Sequence, residues 1–343
     1  MTSQYISFAN AREGQANALK TAIRTIRDQV LDQQDEGEFR GPGPIFVGIG
    51  ASFAATCAPV WHLRSRGIHS WRLGAGDHPL PFPATDHPII GVSQSGRSSE
   101  TLAVLKSVDS RLAYAVVNND SSPITEVVRR TLPLGNIPDS YASTIGYTAT
   151  IVGLGMIADV WNGGTIDPGW DELYDLVQAT ESDVSKRATE LAEIFVEAPS
   201  ADFVGAGPSL GTAEAATLLF REVVRLPSTA MSTRQYLHGA MESAGAGTHV
   251  VLGDDRELEM AQTLSSAGHR VIVVSSKAVA EGPRLRAVRL PKLPASQRAV
   301  LEAIVMQTLV AELAELSDID VEQFVFHHTD TKVADDHEAG ATA

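Results

Sequence analysis

The chain repeats itself. Phe46-Val47-Gly48-Ile49-Gly50-Ala51-Ser52 is echoed 157 residues further on by Phe203-Val204-Gly205-Ala206-Gly207-Pro208-Ser209. Whatever the first half folds into, the second half must therefore fold into as well. In each copy a short apolar run enters a glycine turn and a serine, then an alanine-rich segment of helical character, and a second apolar run follows about 40 residues later. The runs at 45–48, 89–92 and 113–117 are bounded by turn residues and alternate with helical segments. That alternation predicts parallel strands covered on both faces. The expected class is α/β: two tandem units, each a mainly parallel doubly wound sheet flanked by helices.

The rest of the chain falls around this repeat. Residues 5–34 carry apolar and small side chains at helical spacing until Gly41-Pro42-Gly43-Pro44 stops the pattern. This predicts an N-terminal helical segment over 1–40, as a hairpin or one long helix. The first α/β unit then spans 41–165 and the second 199–316. Between them, 166–198 reads as a linker whose residues 171–197 form one long polar-faced helix. After Leu316 the pattern becomes irregular, so 317–343 is a C-terminal tail, and its acidic, small-residue end at 334–343 is expected to be disordered.

Composition narrows the function. A chain of 343 residues, 43% hydrophobic and 20% charged, buries ordinary cores. Its 27 basic and 42 acidic residues give a net charge of -15, which repels nucleic acid and anionic membrane. Neither is an expected partner. An anionic small molecule is still compatible, because a few backbone N–H groups and hydroxyls suffice to hold a phosphate. The single cysteine, Cys57, excludes an intrachain disulfide and reads as a buried structural thiol. With no stretch of roughly 20 apolar residues and no basic-then-apolar leader, the chain is expected in the cytoplasm.

A candidate phosphate loop follows the second apolar run. Ile89-Ile90-Gly91-Val92 leads into Ser93-Gln94-Ser95-Gly96-Arg97-Ser98-Ser99-Glu100-Thr101, and helical spacing resumes from Leu102. A strand, a hydroxyl-rich turn and a helix start supply unpaired N–H groups, the positive end of a helix dipole and several hydroxyls. Serine followed by glutamate is also a capping pattern. Arg97 is expected in solvent. In the second half, His249-Val250-Val251-Leu252 runs instead into Gly253-Asp254-Asp255-Arg256, whose carboxylates would repel a phosphate. One phosphate site per chain is expected.

Two acid–base candidates lie in the second half. Glu222 sits in the helical pattern Thr217-Leu218-Leu219-Phe220-Arg221-Glu222-Val223-Val224, and His238 comes sixteen residues later in Tyr236-Leu237-His238-Gly239-Ala240. Moving a proton beside a sugar carbonyl needs a base, and opening the ring needs a second proton carrier. A carboxylate and an imidazole suit those tasks, although taken alone Glu222 is more often a helix-surface residue and His238 a satisfied turn histidine.

Taken together, the two glycine turns, the Ser-Gln-Ser-Gly loop and the Glu/His spacing resemble the SIS (sugar isomerase) domain family. The likeness is to its double-SIS type and covers nearly all of the chain after about Ile45, resembling the isomerase half of glucosamine-fructose-6-phosphate aminotransferase and related aminosugar-phosphate isomerases and deaminases. The resemblance implies that Ser93, Gln94, Ser95 and Ser98 hold the phosphate, and that Ser52, Ser143 and Thr144 lie along the sugar. It implies Glu222 as the enolising base and His238 as the ring opener, the histidine entering the neighbouring subunit's site of a homodimer. No cofactor is implied.

Departures from that aminotransferase shape the expected activity. Met1, Thr2 and a helix stand where its glutaminase domain would be, so no ammonia supply is expected. Leu219 and Ile145 replace two lysines of its site. Lys332, in Asp330-Thr331-Lys332, is out of register with its tail lysine and is a further candidate for the site. Enolisation by Glu222 survives these changes. The expectation is therefore a hexose 6-phosphate or aminosugar 6-phosphate isomerase or deaminase. Two alternatives are a lyase that eliminates the C3 hydroxyl of N-acetylglucosamine 6-phosphate, and a silent sugar-phosphate sensor. His327 and His328 are adjacent, and so diverge on a strand; no metal is expected. Gly48 and Gly50 lack the third glycine of a dinucleotide fingerprint, so no nicotinamide cofactor is expected.

Overall fold

The computed structural model describes residues 5–245, 247–326 and 330–333; His327, His328 and the tail from Ala334 lie outside the described residues. A single helix, α1 (Phe8–Asp35), opens the chain, with the Ser7 side chain accepting from the N–H of Asn10 at its start. Its Leu19, Ile23, Ile26 and Val30, three or four residues apart, form the buried stripe. The first half then runs β1 (Ile45–Gly48), α2 (Ala51–Ala55), α3 (Cys57–Ser65), β2 (Trp71–Gly74), β3 (Ile89–Ser93), α4 (Ser99–Ser107), β4 (Ala113–Val117), β5 (Arg130–Pro133) and α5 (Ile145–Val160). After α6 (Leu173–Ser185) and α7 (Ala188–Ala192) come β6 (Ala201–Gly205), α8 (Leu210–Val223), β7 (Ser228–Ser232) and α9 (Thr233–Leu237). The second half finishes with β8 (Thr248–Leu252), α10 (Arg256–Ser266), β9 (Arg270–Ser275), β10 (Leu285–Arg289) and α11 (Ala295–Leu316).

The repeat seen in the sequence is a repeat of topology. One sheet has the order β2-β1-β3-β4-β5 and the other, read from its β7 edge, β7-β6-β8-β9-β10, with every pair parallel. Phe46 pairs with Ile90 as Phe203 pairs with Val250. The tandem α/β expectation is thus what the chain adopts. The strand order reverses between β1 and β3, which leaves a crevice at the carboxyl ends of those two strands, where open α/β sheets bind ligands. The Gly50 turn follows β1 and the serine loop follows β3, so both candidate loops open on that crevice.

The linker is a correction. Residues 171–197 form the separate helices α6 and α7 with short 3-10 turns at 168–171 and 193–195, not one long helix. The break falls at Arg187, whose side chain leaves the helix axis for the Ala287 carbonyl (3.0 Å), Glu190 and Glu281. Restarting the helix there lets Ala188, Leu191 and Ala192 turn into the core.

Between the sheets lie α5, buried at every position, and α11, buried along nearly all its length. They approach so closely that a Cβ at Gly155 would meet Trp170 at 2.6 Å and Ser296 at 2.8 Å. Polar side chains caught in this seam need partners. Glu302 of α11, fully buried, accepts from Ser209 Oγ (2.7 Å), Thr212 Oγ1 (2.7 Å) and Arg298 Nε (2.8 Å).

Candidate active site

The turn between β3 and α4 is held open by its own backbone. The Gly96 N–H donates to the Ser93 carbonyl at 3.1 Å, and Gly96 takes φ +66°, with no room for a Cβ against Ser122. Glycine is required on both counts. Ser95 Oγ accepts from the Arg97 N–H (3.3 Å), and the hydroxyls of Ser93 and Ser98 meet at 2.9 Å. Ser98 occupies the cap position of α4 but makes no capping bond, so the capping-box alternative does not consume this hydroxyl. Among the described residues, the N–H groups of Ser95 and Ser98 meet no acceptor. The turn therefore presents backbone donors, hydroxyls and a helix N-terminus on one side.

Asp139 ties this loop to the start of α5. Only 4% exposed, it accepts from Gln94 Nε2 (2.8 Å), Ser143 Oγ (2.8 Å), Thr144 Oγ1 (2.8 Å) and the N–H groups of Thr144 (3.1 Å), Ile145 (3.0 Å) and Gly146 (3.0 Å). A carboxylate at a helix N-terminus is favourable both as acceptor and as counter-charge. Gln94 and Ser143 are thereby fixed by one shared partner. Thr144 is fully buried, with its hydroxyl committed to Asp139. The sequence reading missed Asp139. Its signal was an acidic residue a few positions ahead of the apolar run of α5.

Glu222 lies in the seam between the halves. It lines a narrow recess with Ala51, Ser143 and Tyr147 of the first half and with residues of α8 and α11 from the second. Ser52, in α2, adjoins Ala51 of that wall. On its other side Glu222 lines a wider depression with Tyr141, Arg225, Phe324 and Phe326. It thus lines both spaces. Arg221 spends its guanidinium on the Ser228 carbonyl (2.9 and 2.7 Å), and Arg225 donates to the Gln323 carbonyl (2.8 Å). Burial without a compensating charge pushes the Glu222 carboxyl up to about 7.

The remaining candidates are placed around this centre. Residues 330–333 run antiparallel along the phosphate turn: Val333 N–H donates to the Arg97 carbonyl (2.9 Å) and Ser99 N–H to the Thr331 carbonyl (3.2 Å), so Lys332 faces Ser98 through its backbone. The Lys332 side chain is exposed. Arg97, expected in solvent, is partly exposed, and its Nε donates to the Val333 carbonyl at 2.9 Å. His238 is exposed just after α9 and lines neither space beside Glu222. The short α9 ahead of it is pinned by Tyr236, whose hydroxyl donates to Asp202 at 2.9 Å. Cys57 is buried, and that burial pushes its thiol up, as a structural role requires.

In the second half the matching turn is filled by the protein's own carboxylates. The strand registers align Gln94 with Asp254, which accepts from Ser275 Oγ (2.8 Å), Ser276 N–H (2.7 Å) and Arg298 Nη1 (2.5 Å). Burial would raise its carboxyl, but the bonds from Ser276, Ser275 and Arg298 hold it down at about 2. Glu257 folds back to accept from the Asp255 N–H (3.2 Å), bringing its carboxylate against Gly253. What the sequence predicted as repulsion is, in three dimensions, occupation.

No family model and no curated protein sequence matches the chain. Solved structures do. The C-terminal domain of glucosamine-fructose-6-phosphate aminotransferase from Francisella tularensis superposes with a TM-score of 0.81 at 16% identity, covering 92% of this chain and 97% of that one. The fold is a tandem SIS fold. A glucosamine-6-phosphate deaminase from Thermotoga maritima shares this fold at TM-score 0.75 and 18% identity over 95% of this chain and 99% of its own. A tagatose-6-phosphate ketose/aldose isomerase from Escherichia coli does so at 0.73 and 16%, over 94% and 96%. Among the described residues of this SIS fold, no helix is long and apolar enough to cross a membrane, and no cluster of three or more His, Cys, Asp or Glu side chains is placed to hold a metal.

Proposed function

We propose that the chain is a sugar-phosphate isomerase or deaminase that binds a hexose 6-phosphate at residues 93–98 and lifts the C2 proton with Glu222. The observation that carries this reading is a carboxyl with no counter-charge, raised to about 7, facing a recess that it shares with Ser143. A base poised near neutrality combines the right protonation state with useful basicity. Asp139 accepts from both Ser143 and Gln94, so the proposed sugar wall and phosphate turn share one buried anchor. His238, exposed on its own chain, is assigned to ring opening in the site of a partner subunit.

In the proposed step Glu222 takes the C2 hydrogen as a proton, and the electron pair of the C–H bond forms the C1–C2 double bond of an enediolate. The C1 carbonyl pair moves onto O1, and returning the proton to C1 while the O2 proton passes to O1 yields the ketose. With a free amine on C2, the same delivery gives an imine, whose hydrolysis consumes water and releases ammonia. If the nitrogen on C2 is acylated, release of ammonia is closed, and the same enolate can instead expel the C3 hydroxyl, which takes up a proton and leaves as water. The test is incubation with glucose, glucosamine and N-acetylglucosamine 6-phosphates in deuterated water, followed by NMR. Deuterium entering C2, or its loss with product formation, is the expected result; binding of all three without exchange would make the protein a sensor.

Ser95 offers a separate check. Ser95→Ala removes a hydroxyl but keeps the backbone donors, and a hydrogen bond to a charged partner contributes about 1.5–3 kcal/mol. Affinity for the phosphorylated sugar should fall roughly 10- to 100-fold while that for the dephosphorylated sugar stays unchanged. Equal losses in calorimetry for both ligands would count against the loop assignment.

A further inference from the structure

A cavity of about 150 Å³ lies at the amino end of the first sheet, away from the candidate active site. Pro88, on its wall, stands just ahead of β3, whereas the serine loop leaves β3 at the opposite end. The polar part of the wall is Glu38, Arg40, Tyr114 and Arg129. Glu38, only 4% exposed, has both oxygens engaged: Oε2 accepts from the Tyr114 hydroxyl at 2.8 Å and Oε1 from Arg129 Nη2 at 2.6 Å. Arg129 is thereby committed to Glu38, and Arg130, outside the wall, to Glu36 at 2.5 Å. Arg40 is the charge left over. Its guanidinium makes no hydrogen bond or ion pair among the described residues, and the N–H groups of Phe39 and Arg40 meet no acceptor there either. Phe39 takes φ +58°, which a bulky side chain rarely adopts. Strain of this kind persists where the surroundings impose it, commonly at ligand clamps. Here the Asn162 N–H donates to the Phe39 carbonyl at 2.9 Å, and the Phe39 ring is buried 6.1 Å from that of Trp161.

We propose that this cavity is a second ligand site and takes a short monocarboxylate, its oxygens paired with Arg40 and its apolar body against Phe39, Ile90 and Trp161. A guanidinium fork matches the two oxygens of a carboxylate in one plane. One uncommitted cation calls for one negative charge, because a second would face the buried Glu38 without a partner. Inorganic phosphate, polar on every side, would leave the apolar wall uncovered. Size sets the remaining limit. A space of this volume holds a molecule such as benzene, so the ligand has roughly six heavy atoms. A hexose 6-phosphate is far larger, and the assignment is therefore independent of the substrate proposed above.

The experiment is calorimetry on the full chain with propanoate and lactate, against propanamide as the uncharged match. Such small ligands should bind with a Kd on the order of 1 mM, and the amide at least about tenfold more weakly. Arg40→Gln should cost the carboxylates the same tenfold or more at an unchanged urea midpoint, since Arg40 is exposed and holds nothing else. Ser95→Ala should leave their affinity as it is. The proposal is overturned if acid and amide bind alike, if Arg40→Gln keeps the carboxylate affinity, or if neither carboxylate binds below about 20 mM. Weakening by Ser95→Ala would place the ligand in the serine loop and overturn it as well. Inorganic phosphate binding more tightly than both carboxylates, with the same dependence on Arg40, would overturn the carboxylate assignment.

Discussion

Glu222→Gln is expected to slow C2 proton exchange by about 10²- to 10⁴-fold, the range a positioned general base supplies. The amide keeps the volume and the neutral form of the side chain but cannot take up a proton. No described hydrogen bond or ion pair involves Glu222, so the substitution removes no structural partner. Phosphate-ester affinity should be nearly unchanged. The unaltered enzyme should show a rate that rises with pH through about 7, as burial releases the carboxyl proton only there. The sign for stability is opposite. A buried acid raised above its unfolded value favours the protonated fold, so stability falls as pH climbs from the ordinary carboxylate range through about 7. Glu222→Gln should lose that slope. A variant with unimpaired exchange, measured by NMR in deuterated water, would remove the base assignment.

Asp139→Ala should damage both the fold and the site. Six donors, from Gln94, Ser143, Thr144 twice, Ile145 and Gly146, converge on one buried carboxylate at 2.8–3.1 Å. Removing the acceptor strands these donors where water has little access, a loss of about 3–5 kcal/mol on the scale of breaking a buried charged network. The urea midpoint should drop accordingly at an unchanged slope. Ligand binding should weaken even where the variant is folded, since Gln94 and Ser143 lose their common anchor. A destabilisation under about 1 kcal/mol would mean that the network is surface-like and redundant.

Much of the architecture could be read before any coordinates, and the misses have a physical pattern. The central strands β1, β3 and β4 announce themselves because burial on both faces demands continuous apolar runs such as Ile89 to Val92. The edge strands β2, β5, β7 and β10 carry Arg72, Arg130, Thr229 and Arg286 in the same short spans. With one side open, their sequences look like loops. The linker break at Arg187 depended on the Ala287 carbonyl, a partner 100 residues away.

The site divides along the same line. Ser93 to Ser98 and Glu222 stand out because their chemistry is carried by local spacing or by residue type. Asp139, Gln307 and Glu257 matter through what folding brings to them, and no window of sequence holds those neighbours. Gln307 sits in a run of otherwise apolar α11 positions and reads there as a tolerated polar residue. That its amide oxygen is buried without a partner among the described residues appears only in the folded chain.

The folded-back Glu257 gives the duplicated architecture an unequal division of labour. In the rear half the turn takes up a carboxylate of the chain itself at the place where, on the proposed function, the front half would seat a phosphate ester. On that reading any stiffening by a bound ester would fall on the front unit, with the rear unit serving as a fixed anvil.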